Sequence, residues 1–502
     1  MNNDTMPPES PVGRDVRWGI AAAVAVIGVA ALLVGLLRGS PPAVTPLRTV
    51  AVLPLATVEG AGSETATLGV AIADEAATLL GRVRQVAVRP GATTQPVTAP
   101  EDVRAEGRRL AVDTVLTGRV GSTNGRTAVT LDAIDVATGA LAWRDSFDAP
   151  AGNLMALQVQ LALRVRGGLA TALGGTAVEA AHDPANEEGY ALFLRSTALG
   201  SEADANREAI ALLRRSLTLD PGYPPAWQAL SQRYSVEARD GGAATGSPAL
   251  AFEAAERAVA LDPDYVVPAA GLVVSLVEKG DLPRAFTQAR ALLARRPDNV
   301  DVQVAMSYVY RYAGLLDDAA RHCEEGFLLD PRNSTSGLRS CAVVFIQRGD
   351  EARTTNYLHL DDGSAFSRAL ALHADVRNGR VAQARAVAQD QLPEWGTWRL
   401  LAACAAGGRP AATSPEAPTA GDADAETAYF AASHLAYCGQ TDAAAAMLKK
   451  AIAGNYCGYP LVESDPLLAP LRATPAFRAL REEASNCRQR FIAAAQKAEA
   501  GG

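Results

Sequence analysis

Leu-Asp-Pro closes a helical stretch at residues 218–223 (TLDPGY), 260–265 (ALDPDY) and 328–333 (LLDPRN), with a degenerate copy, RRPDN, at 295–299. Pro221, Pro263, Pro297 and Pro331 are spaced by 42, 34 and 34 residues, the wide interval holding the insert RDGGAATGSP at 239–248. Proline lacks an N–H and disfavours helical geometry in the residue before it, so each copy stops a helix. From 187 to 457 the chain is rich in Ala, Leu and Arg at the 3.6-residue period, broken by Gly-Asp, Gly-Leu or Asp-Pro. A fixed period holding two helices buries its apolar faces by stacking hairpin on hairpin, which predicts an all-α solenoid.

Each residue class within one period has a packing reason. In the copy ending at Pro331, Ser307 and Gly326 are small where helices cross, Gly314 ends the first helix, Ala319 packs the second against it and Tyr310 fills the gap. The copy ending at Pro263 carries Trp227, Leu230 and Tyr234 at W-x-x-L-x-x-x-Y spacing, with Ser231 where a glycine is usual. With the period of 34, these residues resemble tetratricopeptide repeats. Beyond 333 the copies decay, although Gly349-Asp350, Gly379 and Gly439 keep marking hairpin turns. A low-complexity loop interrupts at 407–425, and the Pro-rich turns and amphipathic helix of 458–502 read as a capping segment.

A different grammar governs residues 47–175. TVAVLPL reads as a buried strand, LGVAIADEAATLLGRV as a helix, QVAVRP as a strand and PEDVRAEGRRLAV as a second helix. Three strand-like runs follow, separated by Asn124-Gly125 and Thr138-Gly139, and a final helix closes the domain. The order β-α-β-α-β-β-β-α predicts a small α/β domain, so the whole chain is α+β in class. GAG at 60–62 lacks the third glycine of a dinucleotide fingerprint, and no Gly-Lys-Ser/Thr occurs. Asp74-Glu75 reads as a solvated helix turn. The ordered phrases RTVAVLPLATV, LGVAIADEAATLLGRVRQVAVRP, EGRRLAVDTVLTGRVGSTNGRTAVTLDAIDVATGALAWRDSFDAP and ALQVQLALRVRGGLA resemble the TolB-amino-terminal-like domain of bacterial membrane-anchored, CadC-like regulators. Such regulators carry a winged-helix DNA-binding domain before the membrane span; the 18 residues preceding the apolar run here are too few for one.

That run, Gly19–Leu37, is free of charge for 19 residues and bracketed by Arg17 and Arg38. About 20 apolar residues span a bilayer, so 19–38 is expected to be an uncleaved transmembrane helix between a short leader, 1–18, and a Pro-rich spacer, 39–46. Arg14 and Arg17 before the span and Arg38 and Arg48 after it leave the charge rule undecided. A short leader before a long folded portion points to a single-pass inner-membrane protein with its bulk periplasmic.

The net charge is −8 and the basic residues are scattered, so no basic stripe offers a nucleic-acid footprint. No C-x-x-C, H-E-x-x-H or G-x-S-x-G occurs, which points to no cofactor, no metal and no enzyme. His434 and Cys438 stand one turn apart and are two ligands short of a structural zinc site. The six cysteines suit either disulfides or buried thiols. As disulfides, spacing pairs Cys323 with Cys341 across the Pro331 turn, Cys404 with Cys438, and Cys457 with Cys487. Register with the repeat places Gln228, Gln232, Val274, Val277, Tyr308 and Arg311 on the concave face, where a partner peptide would lie. The expected function is a noncatalytic, membrane-anchored scaffold or sensor binding proteins in envelope signalling. An envelope assembly factor, or an envelope enzyme holding a protein substrate on its repeats, are the alternatives.

Overall fold

The first strand is buried on both faces because helices cover both. Val50 and Val52 of β1 (Arg48–Val52) pack with Ile72, Ala76 and Leu80 of α1 (Ser63–Leu80), while Ala51 and Leu53 pack with Val103 of α2 (Pro100–Arg109). The computed structural model describes residues 47–500 apart from 59–62, 90–98, 177–182, 201, 242–246, 333–336, 362, 388–390, 394–396 and 409–423. Two-residue β2 (Ala56–Thr57), then β3 (Val86–Arg89), β4 (Thr114–Thr123), β5 (Arg126–Asp135) and β6 (Leu141–Pro150) complete a mixed sheet. Its order is β3-β1-β4-β5-β6, with β2 also pairing β4. β1 runs parallel to β3 and β4, whereas β4, β5 and β6 form an antiparallel meander. Asn124 (φ 53°) and Gly125 (φ 72°) make the two-residue turn between β4 and β5, both in the left-handed region that Asn-Gly accepts. Helix α3 (Leu154–Arg164) continues through a π turn, Val165–Leu169, where a Cβ on Gly168 would lie 2.9 Å from the Trp143 indole nitrogen.

Antiparallel helix pairs follow: α4 (Glu187–Thr197) with α5 (Ala203–Leu219), α6 (Pro224–Gly241) with α7 (Ser247–Leu261), α8 (Val266–Glu278) with α9 (Leu282–Arg295), and α10 (Val300–Tyr312) with α11 (Leu316–Leu329). The second helices of three pairs end at Asp220, Asp262 and Asp330, as the Leu-Asp-Pro phrase requires. Gly280 and Gly314, with φ of 80° and 73°, close the first helices of two pairs and carry the chain into the second. Shorter helices succeed them: α12 (Cys341–Arg348), α13 (Glu351–Leu358), α14 (Ala365–Arg377), α15 (Val381–Arg385) and α16 (Trp398–Ala405). A last full hairpin, α17 (Ala425–Tyr437) with α18 (Thr441–Ala453), leads through α19 (Tyr459–Ser464) to the long α20 (Ala476–Ala500).

The α/β domain and the hairpins form one compact unit, and the acidic turns of the repeats join them. Arg82 reaches Asp262 at 2.5 Å, the Gln85 backbone N–H donates to Asp298 at 3.3 Å, and Arg89 reaches Asp330 at 2.6 Å. Successive partners are three or four residues apart, with Arg82 and Gln85 in the turn that leads into β3 and Arg89 at its end. One stretch of chain therefore meets one turn after another. Arg332 adds a pair with Asp113 at 2.6 Å, and the Leu47 N–H donates to the Leu329 carbonyl.

The second departure from a simple spiral lies at the C-terminal end. One apolar core unites α8, α9 and α10 with α17, α18, α19 and α20, including Val277, Phe286, Tyr312, Tyr429, Tyr456 and Phe491. Alanines at 425, 428, 431, 432 and 436 let α17 approach closely. The Cys457 N–H donates to the Tyr312 carbonyl, and the Asn455 side chain donates to the Gly280 carbonyl at 2.6 Å. The array thus folds back on its own middle. Disulfides join Cys323 to Cys341, Cys404 to Cys438 and Cys457 to Cys487. No helix among the described residues is long and apolar enough to cross a membrane. The expected span at 19–38, its leader and its spacer lie outside them, as do residues 409–423 of the expected 407–425 loop.

The side chains of Arg89 and Asp330 are 3% and 1% exposed, so removing one partner strands a buried charge. Asp330→Asn should destabilise the protein by about 3–5 kcal/mol, whereas Arg89→Met with Asp330→Leu should cost much less than the two single changes summed. Urea unfolding of Asp330→Asn, the two single changes and the double variant checks this.

Candidate functional site

The residues expected to line one continuous groove separate into two groups. Val277 and Arg311 are buried, and Tyr308 is partly so. The expectation of an open concave face at their level is corrected here: the chain's own C-terminal hairpin covers it. Arg311 pairs with Glu426 of α17 at 2.9 Å and donates to the Ser340 carbonyl. The Tyr308 ring lies beneath the Arg311 guanidinium, 4.5 Å away, and beside the Tyr312 ring. Tyr312 in turn meets Tyr456 edge-on at 4.9 Å. Val274 is half-buried. On α6, Gln228 is half-buried and Gln232 exposed.

An open concavity does exist one hairpin earlier. Arg214, Leu217 and Thr218 of α5, Trp227, Leu230 and Tyr234 of α6, and Leu250, Glu253 and Ala254 of α7 line a cleft of about 270 Å³. Trp227, Leu230 and Tyr234 follow the repeat spacing, so one helix face supplies the floor. The Trp227 indole N–H donates to the Pro221 carbonyl at 2.9 Å, fixing the ring against the Leu-Asp-Pro turn. Leu250 remains 40% exposed, leaving apolar surface uncovered in the cleft. Arg214 and Glu253 give it one charge of each sign. Gln228 sits about a third of a turn, and Gln232 nearly half a turn, around α6 from the middle of the Trp227 stripe, and neither lines the cleft.

A second concavity, about 450 Å³, lies at the junction of the two domains and is lined by Leu47, Arg48, Asp113, Asp330, Pro331 and Arg332. Its charged members are already paired in part, through Arg332 with Asp113 and Arg89 with Asp330.

His434 and Cys438 have other partners than a metal. His434 takes its hydrogen bonds from or to Thr397 at 2.7 Å and His373 at 3.0 Å, while Cys438 is bonded to Cys404. Burial pushes His373 down to about 3 and His434 well below its ordinary value, so both rings are neutral. Among the described residues no group of three His, Cys, Asp or Glu is placed to hold a metal ion.

The reading of Asp74-Glu75 as a solvated turn is corrected for Glu75. It is 4% exposed, and Gln158 and the Tyr223 hydroxyl each approach it at 3.4 Å. Tyr223 packs edge-on against Phe193 and Tyr190, so this carboxyl sits where α1 and α3 meet the first hairpins. Glu75 falls in the same i, i+4, i+7, i+11 stripe as Leu68, Ile72 and Leu79, a local signal of burial, while the partner that meets it there, Tyr223, lies 148 residues away.

No protein-family model matches this chain, and no curated protein matches it. Solved structures similar to parts of it include MamA from Desulfovibrio magneticus RS-1, at 12% identity, 35% of this chain, 93% of that one and a TM-score of 0.28. A tetratricopeptide repeat protein from Parabacteroides merdae gives 13%, 60%, 100% and 0.33 on the same measures. PilF of Pseudomonas aeruginosa gives 18%, 39%, 86% and 0.31. The tetratricopeptide-like character of the hairpins is carried by this chain's own geometry: paired helices, Leu-Asp-Pro stops and the Trp227-Leu230-Tyr234 face.

Burial raises Glu75 from 4.5 to about 7. A raised carboxyl stabilises the fold fully below its unfolded value, and that contribution is lost as pH rises through about 7. Glu75→Gln stays neutral, so relative to the parent it should gain up to about 3 kcal/mol between pH 5 and pH 8. Urea unfolding at the two pH values checks this; a pH-independent difference would mean that Glu75 is ionised throughout.

Proposed function

We propose that this chain is a noncatalytic, membrane-anchored scaffold or sensor of the cell envelope that holds protein partners on its first two hairpins. The observation that carries the reading is the cleft floored by Trp227, Leu230 and Tyr234, which keeps apolar surface open beside one basic and one acidic group. A concave apolar site with a few polar groups suits an extended or helical segment anchored by an apolar side chain. The later hairpins offer no equivalent at the level of Tyr308 and Arg311, because α17 occupies that surface. Binding is therefore expected at the α5–α7 level.

A photo-crosslinking amino acid at Leu250 or Glu253 should capture partner protein in cells, and one at Tyr308 should not. Val58, 53% exposed on the α/β domain, serves as the surface control. Equal capture at Val58 and Leu250 would sink the assignment of the cleft.

Envelope placement is supported by the disulfides, which persist in oxidising compartments. The apolar run Gly19–Leu37 supplies the anchor in this reading. Alkaline phosphatase fused after Gly502 should be active and a fluorescent protein there dark. Alkylation of the protein from cells should modify cysteine only after reduction. A bright fluorescent fusion with thiols reactive without reductant would reverse the orientation.

A further inference from the structure

The two edges of the sheet are treated differently. β3, at one edge, belongs to the segment that runs along the acidic turns of the hairpins, through Gln85 to Asp298 and Arg89 to Asp330. β6, at the other edge, is ten residues long, and α3 covers one of its faces through Arg164, which pairs with Asp145 at 3.0 Å and lies over Phe147. Natural sheets blunt a long edge with proline, bulges or charges of one sign. Here the bulge at Ala133/Ile134 and Pro150 both lie at the ends of β6, which leaves its middle regular.

The hydrogen-bond parity of that middle follows from the hairpin. Thr123 and Arg126 close a two-residue turn and so exchange both backbone bonds, and alternation then directs the even-numbered residues of β5 to β4. Its odd-numbered residues bond β6, opposite Phe147 and Asp145. Arg144, Ser146 and Asp148 are left with their N–H and C=O groups pointing away from the sheet. Ser146 N–H bears this out, since it donates to the neighbouring Asp145 side chain at 2.7 Å.

We propose that β6 pairs with β6 of a second copy of this chain, antiparallel, about a twofold axis at Ser146. In that register Arg144 lies opposite Asp148 of the second copy, twice, and Ser146 opposite itself. Shifting by two residues loses both charge pairs. The side chains of all three residues lie on the open, polar face, where Arg144 already pairs with Asp132 at 2.5 Å, Asp148 with Arg126, and Ser146 with Thr130 at 3.0 Å. Arg144 and Asp148 are 53% and 50% exposed, so each can take a second partner. Across the four strands each row then alternates in sign, and a row of hydroxyls runs through the centre. About six backbone hydrogen bonds would form, with Pro150 ending the ladder opposite Ala142. A strand whose charges complement its own reversal selects itself over an arbitrary partner. This inference is independent of the cleft on the hairpins.

The test uses the full chain purified in detergent, where every native cysteine of the described structure is in a disulfide. Ser146→Cys places two thiols on residues whose Cα atoms are about 5.5 Å apart, whereas Thr130→Cys places them about 14 Å apart. A short bifunctional thiol crosslinker should give covalent dimer from the first and not from the second. Introduced beside Ser146→Cys, Arg144→Asp alone and Asp148→Arg alone each set like charges opposite one another, and each should lower dimer yield about tenfold or more. Mixed in equal amounts, the two variants are complementary in both rows and should recover the heterodimer. Thermal unfolding of each variant verifies that it is folded. Equal crosslinking of Ser146→Cys and Thr130→Cys, or a mixture that fails to recover dimer while both variants are folded, would overturn the proposal.

Discussion

The rest of the structure depends on one short stretch of the α/β domain that meets three successive turns of the helical stack. Arg82 and Gln85, in the turn before β3, and Arg89, at the end of β3, reach the hairpin turns at Asp262, Asp298 and Asp330 in that order. A helical stack is elastic along its axis, because each hairpin touches only its neighbours. Tying three consecutive turns to one short stretch removes that freedom there. Two of the bonds, at Asp262 and Asp330, are buried ion pairs, whose desolvation offsets most of their attraction. Their contribution is register more than net stability: Arg82 holds Asp262 and stacks over Tyr265 at 4.8 Å, where the turns of Asp298 and Asp330 carry Asn299 and Asn333 at the matching position.

A second constraint closes the other side of the stack. Hairpin solenoids keep an inner surface open when their copies continue in regular succession. Here α12 to α16 are short, and the chain turns back so that the alanine-lined face of α17 reaches α10. Once α17 is there, Arg311 has an acid to pair with and Tyr312 a ring to meet, and α20 packs Phe491 edge-on against Phe286 of α9. The segment expected to cap the end of the array instead braces its middle, and the Cys457–Cys487 disulfide fastens α20 to the loop after α18.

Local rules made much of this legible in sequence. Proline at the helix stops, Asn-Gly at the β4–β5 turn and the continuous apolar run of β1 each act within a few residues, so the strand and helix order of the first domain and the hairpins before 333 follow from them. The cysteine spacings reflect that same antiparallel geometry. What sequence reading missed is long-range. Glu426 lies 115 residues from Arg311, and nothing near either announces the other. The acids of Leu-Asp-Pro read as helix stops, and their second use, as ligands for Arg82 and Arg89, depends on a domain far away in the chain. Glu75 was misread for the same reason, since its burial comes from Tyr223, 148 residues on.

These constraints together decide which surfaces are left for partners. The turns that carry Leu-Asp-Pro face the α/β domain at 262, 298 and 330, so that side of the stack is occupied. The inner side is occupied at the level of α8 and α10 by α17. At the α5–α7 level the acid of the first turn, Asp220, accepts the local Ala185 N–H, and the core that holds α17 takes in α7 only at Ala255 and the residues beside it. The α/β domain still touches this level through Glu75 and Tyr223, but the cleft at Trp227 is lined by α5, α6 and α7 alone. Binding energy there needs no rearrangement of the docked domain, since Trp227 is held by Pro221 of its own hairpin. A scaffold built this way separates its rigid half, braced by ion pairs and disulfides, from the hairpins that meet a partner.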